Sequence, residues 1–494
     1  MDRKLEEALN EISDAHIAEA AGRGRKRRPH RLGAVAAVLA VVALAAVLLI
    51  PGANTETSPP ARGTSTGTAP GVVLLAAPQY PEMASYPDEA AFLNQTTGEF
   101  DSDGFSQVFG AWWEDQQRQR SQPRGYADGL EEYFLACVPE FLSGSGGENA
   151  VCSPLNVYMA LSLLAEACGG ESRQQILSLL GADSLQSLRE QAGCVWNAHY
   201  CADGASASVL ANSLWLDEDL NYNNATIQAL ADSYYASVFR GELGSDAVNE
   251  TLQNWLNEQT GGLLAEQVKG VELTPETVLA LASTIYYRAR WSEEFSESFN
   301  TEGLFHSPPG DKTVTYMNQT LLHGPYYWGE DYGAVYLNLE DGGKMWLILP
   351  DEGLTPEDLL ASGNALSMIF ETDGITEDQK SVKVNLSLPK FDVSADTDLC
   401  ENLRELGITE VFSEEADFSP ILPGADCILT AVKHAARVKI DEEGLEAAAY
   451  TVMLAYGAAA PPKDEIDFVL DRPFLFLVTS QDNLPLFAGV VNQP

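Results

Sequence analysis

Residues 441–462 read DEEGLEAAAYTVMLAYGAAAPP. The stretch opens on acids and a glycine, runs through small and apolar residues, and stops at Pro461-Pro462. It is too apolar for a solvated loop and too poor in large side chains for a core helix. At a period of two, Leu445, Ala447, Ala449, Thr451, Met453, Ala455 and Gly457 form an uncharged, mostly small face. Such a face can pack against a core as one side of a β-strand. Glu446, Ala448, Tyr450, Val452, Leu454, Tyr456 and Ala458 form the other face. Gly444 supplies a permissive hinge, and the double proline ends any ladder because proline has no N–H to donate. An Ala-rich helix accounts for EAAAYTVMLA equally well on propensity alone. The surroundings decide between them.

Upstream, the chain of 494 residues is 45% hydrophobic, which is enough for a large core. Its formal net charge of −43 argues against nucleic acid as a partner. The seven cysteines make no CxxC pair, and with six scattered histidines no zinc site is suggested. Cys152 and Cys168 lie in apolar runs and read as small buried hydrophobes. No cofactor or metal is called for.

Residues 32–50 are uncharged and almost wholly apolar, long enough at about 1.5 Å per residue to cross a bilayer core. The basic run RGRKRR at 23–28 would hold residues 1–31 in the cytoplasm and place everything after residue 51 outside. A cleaved signal peptide, giving a secreted chain, fits less well: the run is long and no A-x-A site closely follows. Residues 51–71 are a flexible Pro/Ser/Thr/Gly spacer. Residues 72–125 carry no recognisable motif, although AWWED at 111–115 is aromatic enough to pack on something.

From residue 126 to 494 the pattern is regular. LEEYFLACVPEFL (130–142) and VYMALSLLAEAC (157–168) have helical spacing, the second with Ser153-Pro154 as a start signal. Residues 278–291, AVYLNL with KMWLILP, SVKVNLSLPKF, 428–440, FLFLVTS and PLFAGVV read as strands. Helices and strands do not alternate as βαβ units, so the fold class is α+β. There is no G-x-S-x-G, P-loop or H-E-x-x-H, and His434 in mid-strand reads as a hydrogen-bonded core histidine. The chain is not expected to be an enzyme.

DEEGLEAAAYT resembles the reactive-loop hinge of the serpins, the serine protease inhibitor family, and other serpin-like blocks follow the family's order. They include NAVCSPLNVYMALSLLAEACGGESRQQI (149–176), LANSLWLDEDL (210–220), STIYYRARWSEEF (283–295) and LSLPKFDV (386–393). VKHAARVKIDEEG (432–444), DRPFLFLV (471–478) and PLFAGVV (485–491) complete the series. The resemblance implies three β-sheets, about eight or nine helices and an exposed bait loop. It implies a monomeric suicide inhibitor: a protease cuts the loop, is acylated, and stalls when the loop inserts into the large sheet.

The resemblance further implies a hinge at Glu442, Glu443, Gly444, Leu445, Glu446, Ala447, Ala448 and Ala449. It places Ser153, Asn156, Ser283, Trp291 and His434 where the sheet must open. Counting along the loop puts the scissile bond at Ala458-Ala459, which suits elastase-like serine proteases. Tyr456 admits chymotrypsin-like or subtilisin-like ones, and the absence of Lys and Arg between Gly444 and Pro462 disfavours trypsin-like ones. Two departures stand out. Leu445 replaces a usual Thr or similar small residue at the first inward position, which would slow insertion; Tyr450 is bulky but faces outward. Ser283-Thr284 replaces the usual Asn-Ala, implying rearranged hydrogen bonds around Ser153 and His434. The alternative is a non-inhibitory serpin fold used as a surface binding module. With the anchor, the style of the sequence resembles membrane-anchored bacterial members, their domain extracellular.

Overall fold

The computed structural model describes residues 68–94, 100–144, 146–204, 206–262, 264–371, 377–424, 427–445 and 462–494. The expected cytoplasmic tail, the anchor at 32–50, nearly all of the spacer and the loop at 446–461 lie outside the described residues. Among the described residues no helix is long and apolar enough to cross a membrane.

The segment without a motif, 72–125, forms β1 (Val73–Ala76), a 3-10 turn and helix α1 (Ser102–Arg120), started by the Asp101 carboxylate. Next come α2 (Leu130–Leu142), β2 (Ala150–Cys152), α3 (Pro154–Ala167), α4 (Gly170–Leu179) and α5 (Leu185–His199). The strands β3 (Cys201–Ala202) and β4 (Ala207–Asp217) lead to α6 (Asn224–Tyr234), β5 (Ala236–Gly241), α7 (Asp246–Gln259) and β6 (Leu279–Arg290). A run of strands follows: β7 (Thr301–Ser307), β8 (Gly310–Trp328), β9 (Tyr332–Asn338) and β10 (Lys344–Pro350). After α8 (Pro356–Ser362) and α9 (Asn364–Glu371) come β11 (Gln379–Pro389), β12 (Asp392–Asp398) and α10 (Cys400–Glu405). The chain closes with β13 (Ala431–Lys439), β14 (Gly444–Leu445), β15 (Glu465–Val469), β16 (Phe474–Thr479) and β17 (Pro485–Val491).

Ten α-helices are present among the described residues, slightly more than expected, because α1 lies in the segment that had no motif. Among the described residues the strands form two sheets rather than three. The first runs β1-β5-β4-β6-β13-β12, with β3 and β14 at its margins. The second runs β15-β11-β8-β9-β10-β16-β17-β2, with β7 beside β8. Two of the expected sheets are joined because β8 is a single 19-residue strand. Its first part, up to Tyr316, pairs with β7, the stretch from Tyr316 to Tyr327 pairs with β11, and its last three residues pair with β9.

Helix α3 is mostly apolar and buried on every side along its whole length, so it serves as the central post of the core. Ser153 caps it by accepting from the Asn156 N–H, and Pro154 opens its first turn. Strands β4 and β6 are buried almost throughout, which explains their unbroken apolar sequence: both faces of the first sheet are covered. The strands read from AVYLNL and KMWLILP form the antiparallel β9–β10 pair. Cys152 and Cys168 are buried and free, as their sequence surroundings suggested.

Candidate functional site

The β6–β4 ladder is antiparallel and runs nearly the full length of both strands, from Ala207↔Arg288 to Leu216↔Leu279. On its other side β6 pairs in parallel with β13 over only five residues, Ala431↔Ala280 to Ala435↔Thr284. Beyond that point β13 remains paired with β12 up to Lys439, but its ladder with β6 has ended. The two central strands therefore part above Thr284 and Ala435.

At the foot of the parting, three polar residues sit side by side on neighbouring strands: Asn212, Ser283 and His434. All are buried and accompany the polar start of α3. The Ser153 backbone N–H donates to His434 Nε2 at 3.0 Å. Nε2 must then be bare, so the ring proton is on Nδ1, which donates to Ser283 Oγ at 2.9 Å. Burial drives the His434 pKa down to about 4, which keeps this tautomer neutral. Asn156 Nδ2 donates to the Thr284 carbonyl at 2.7 Å, and Asn156 Oδ1 accepts from Asn212 Nδ2 at 3.2 Å. Thr284 Oγ1 donates to the Ala435 carbonyl at 3.2 Å, across the last rung before the strands separate. The Ser283-Thr284 departure thus supplies two polar clasps, one to His434 and one to Ala435.

At the mouth of the parting the chain turns back on itself. Asp441 Oδ1 accepts from the Glu443 and Gly444 N–H groups at 3.0 and 3.3 Å, and the Asp441 N–H donates to the Gly444 carbonyl at 3.1 Å. Trp291, buried at the end of β6, holds the turn: its Nε1 donates to the Asp441 carbonyl at 2.9 Å and its N–H to the Glu443 carbonyl at 3.0 Å. Glu442 is tied to Lys390 Nζ at 2.6 Å and Asn300 Nδ2 at 2.5 Å. Burial pushes the Glu442 carboxyl up, but Lys390 and Asn300 outweigh it and hold it below the usual range.

After the turn, Gly444 pairs with Arg290 and Leu445 with Ala289, antiparallel to β6. A Cβ at Gly444 would press into the Ala289 carbonyl oxygen and lie 2.7 Å from the Arg290 Cα, so only glycine fits there. Leu445 is 3% exposed and bridges back to Ile440. Its side chain is already inside the core, as an apolar residue at this position allows.

The structure therefore brings Ser153, Asn156, Ser283 and His434 together at one end of the parting, and Trp291, Glu442, Glu443, Gly444 and Leu445 at the other. Glu446, Ala447, Ala448, Ala449, Ala458 and Ala459 lie outside the described residues. Sequence reasoning missed Asn212, Asn300, Lys390 and Asp441 as parts of the site. For Asn212 a signal existed, a lone amide in the apolar strand ASVLANSLWLD. Lys390 and Asn300 are distant in sequence and meet only through the fold.

The serpin family, described as serpin (serine protease inhibitor), matches residues 135–494. Serpin-ZX of Arabidopsis thaliana is 31% identical over 371 residues, covering 71% of this chain and 93% of that protein. The Arabidopsis serpin AtSerpin1, in its native stressed conformation, superposes with a TM-score of 0.64 at 27% identity, covering 76% of this chain and 100% of that one. The thermophilic serpin tengpin in its native state gives a TM-score of 0.67 at 24% identity, covering 76% and 95%. The chain belongs to the serpin family. The narrower resemblance to membrane-anchored bacterial members finds no counterpart among these matches.

Proposed function

We propose that the chain is a suicide inhibitor of serine proteases that traps its target by loop insertion into the first sheet. The observation that carries this reading is the Gly444–Leu445 pairing on Arg290 and Ala289 at the mouth of the β6–β13 parting. The first rungs of an added strand are already made in the required direction. Continuing the register sets Glu446 opposite Arg288, Ala447 opposite Tyr287 and Tyr450 opposite Thr284. Each added ladder bond contributes about 0.5–1.5 kcal/mol net, so a dozen give on the order of 10 kcal/mol before apolar burial is counted.

In the proposed reaction the protease serine attacks the Ala458 carbonyl, forms an acyl-enzyme ester and releases the Ala459 amine. Loop insertion carries the bound protease away before water completes hydrolysis. Small residues on the face that begins with Leu445 favour insertion over deacylation. Alanine at the bond supports elastase-like targets, with subtilisin-like and chymotrypsin-like enzymes next. The apolar run at 32–50 and the preceding basic cluster support a single-pass anchor with the serpin domain outside the cell.

The test mixes the full chain with elastase, subtilisin, chymotrypsin and trypsin, followed by denaturing gels and mass measurement of the released peptide. The expected result is a gel-stable complex with elastase or subtilisin and a peptide beginning at Ala459. Complex formation with trypsin alone would overturn the specificity. Loop cutting by all four without any complex would overturn inhibition and leave a binding module.

A further inference from the structure

The segment upstream of the family match is built into the first sheet. Strand β1 adds to the outer edge of β5, with Val73↔Arg240, Leu74↔Phe239 and Ala76↔Val238 in register. Just before it, the Ala69 N–H donates to Thr251 Oγ1 of α7 at 3.3 Å. Beyond β1, the Tyr80 ring packs on Trp196 and Tyr200 at the end of α5, at 5.1 and 5.4 Å, and on Tyr235 at 6.3 Å. The chain then returns through α1, whose Arg120 Nε donates to the Ala198 carbonyl at 2.9 Å. It ends on the turn between β16 and β17 in the second sheet, where the Tyr126 hydroxyl donates to Asp482 at 2.7 Å.

This path joins two bodies that loop insertion must separate. Strands β12 and β13 pack on β2 of the second sheet, and Phe391, just ahead of β12, lies 5.9 and 5.2 Å from the Phe474 and Phe476 rings. That side of the parting is fixed to the second sheet. Strands β6 and β4 rest on α3, with β5 and β1 beyond them, and β6 meets the second sheet only near its end, where the Tyr287 hydroxyl donates to Asp341 at 2.9 Å and the Arg290 carbonyl accepts from the Glu340 N–H at 3.0 Å. Widening the parting therefore means sliding the β6-β4-β5 block away from β13. Helix α7 lies against β6, and the 3-10 turn at Gln267–Gly270 that follows it touches β12, so this connection crosses the opening.

We infer that residues 69–94 and 100–126 form a brace that ties the sliding block to the second sheet and sets the barrier to loop insertion. One end is fastened to β5 and α7, the middle to α5, and the far end to the β16–β17 turn. The brace keeps an uncut loop from inserting spontaneously and must yield when a cut loop inserts. The inference rests on the insertion reading given above.

The experiment compares full-length wild type with Tyr80→Ala, Tyr80→Phe and Thr251→Val. Each uncut protein is held at a temperature where wild type converts over hours, and its conversion to a heat-resistant, loop-inserted form is followed by native gel and thermal unfolding. Tyr80→Ala removes three ring contacts and is expected to shorten the conversion half-life roughly tenfold. Thr251→Val is expected to shorten it about two- to fivefold by orphaning the Ala69 N–H. Tyr80→Phe keeps the ring and is expected to retain the wild-type half-life, which separates bracing from loss of the hydroxyl. If Tyr80→Ala fails to fold, Thr251→Val carries the test. Unchanged half-lives, in a protein whose heat resistance does rise on loop cleavage, overturn the brace alone. No rise in heat resistance on loop cleavage overturns insertion itself, and the brace with it.

Discussion

Leu445 lies directly opposite Ala289 in an antiparallel rung, its side chain 3% exposed, one residue after the glycine that turns the chain into the sheet. The residue that most departs from the family pattern is thus the one already seated. Replacing it with arginine would place an unpaired charge in the core, at a cost of several kcal/mol. Leu445→Arg is expected to turn the inhibitor into a substrate, with loop cleavage at the normal rate and at least about tenfold less covalent complex on gels. Leu445→Thr is expected to keep complex formation. Equal complex yields for Arg and wild type would show that Leu445 does not lead insertion.

Arg288 is 8% exposed and donates through Nη2 to the Gly204 carbonyl at 2.7 Å. The continued register places Glu446 beside it in the inserted state. Glu446→Lys would set two like charges together at a buried site, a penalty on the order of 1–3 kcal/mol. The expected outcome is slower insertion, read as a larger share of cleaved inhibitor per protease molecule trapped. Restoration by the added change Arg288→Glu would confirm the register.

Two buried histidines make the native state sensitive to acid. Burial lowers both His434 and His199 to about 4, against an ordinary value of 6.5. The unfolded chain binds these protons first, so stability is fully present above pH 6.5 and is lost as pH falls from there towards 4. The loss approaches about 3 kcal/mol per histidine. At His434 the added proton would meet the Ser153 N–H head-on. Thermal midpoints from pH 7.5 to 4.5 should fall steeply in wild type and less steeply in His434→Asn. Parallel curves would contradict the assignment.

Gly444→Ala is expected to expel the hinge, because the new methyl meets the backbone of β6 rather than a movable side chain. A loss of about 1–3 kcal/mol in native stability is expected, with faster proteolysis at 446–461. The Lys390–Glu442 tie lies on the other side of the turn, so Lys390→Met should act in the same direction. Hydrogen exchange at Leu445 would report both.

The strands and buried helices were legible because each has its own period or an unbroken apolar run, as in β6, α3 and the β9–β10 hairpin. The stretch 441–462 was ambiguous by itself, strand and Ala-rich helix being equal on propensity; only the blocks around it gave it a reading, and residues 446–461 lie outside the described residues. The merging of two sheets was not legible, since nothing local to Gly310–Trp328 tells one long strand from two short ones. Segment 72–125 was also opaque. Val73–Ala76 is too short to announce a strand and exists only because β5 offers it an edge. Asn212 and Ser283 could be noticed as polar residues in apolar strands, but their meeting with His434 depends on the order β4-β6-β13.

The most direct test of the central claim is the thermal midpoint of the full chain before and after a single cut within residues 446–461. If the parting between β6 and β13 receives the loop, the cut protein gains a full central strand, and its midpoint rises by tens of degrees with no unfolding transition at the native temperature. If the midpoint stays where it was or falls, the parting does not accept the loop, and the chain is a serpin fold that does not trap proteases.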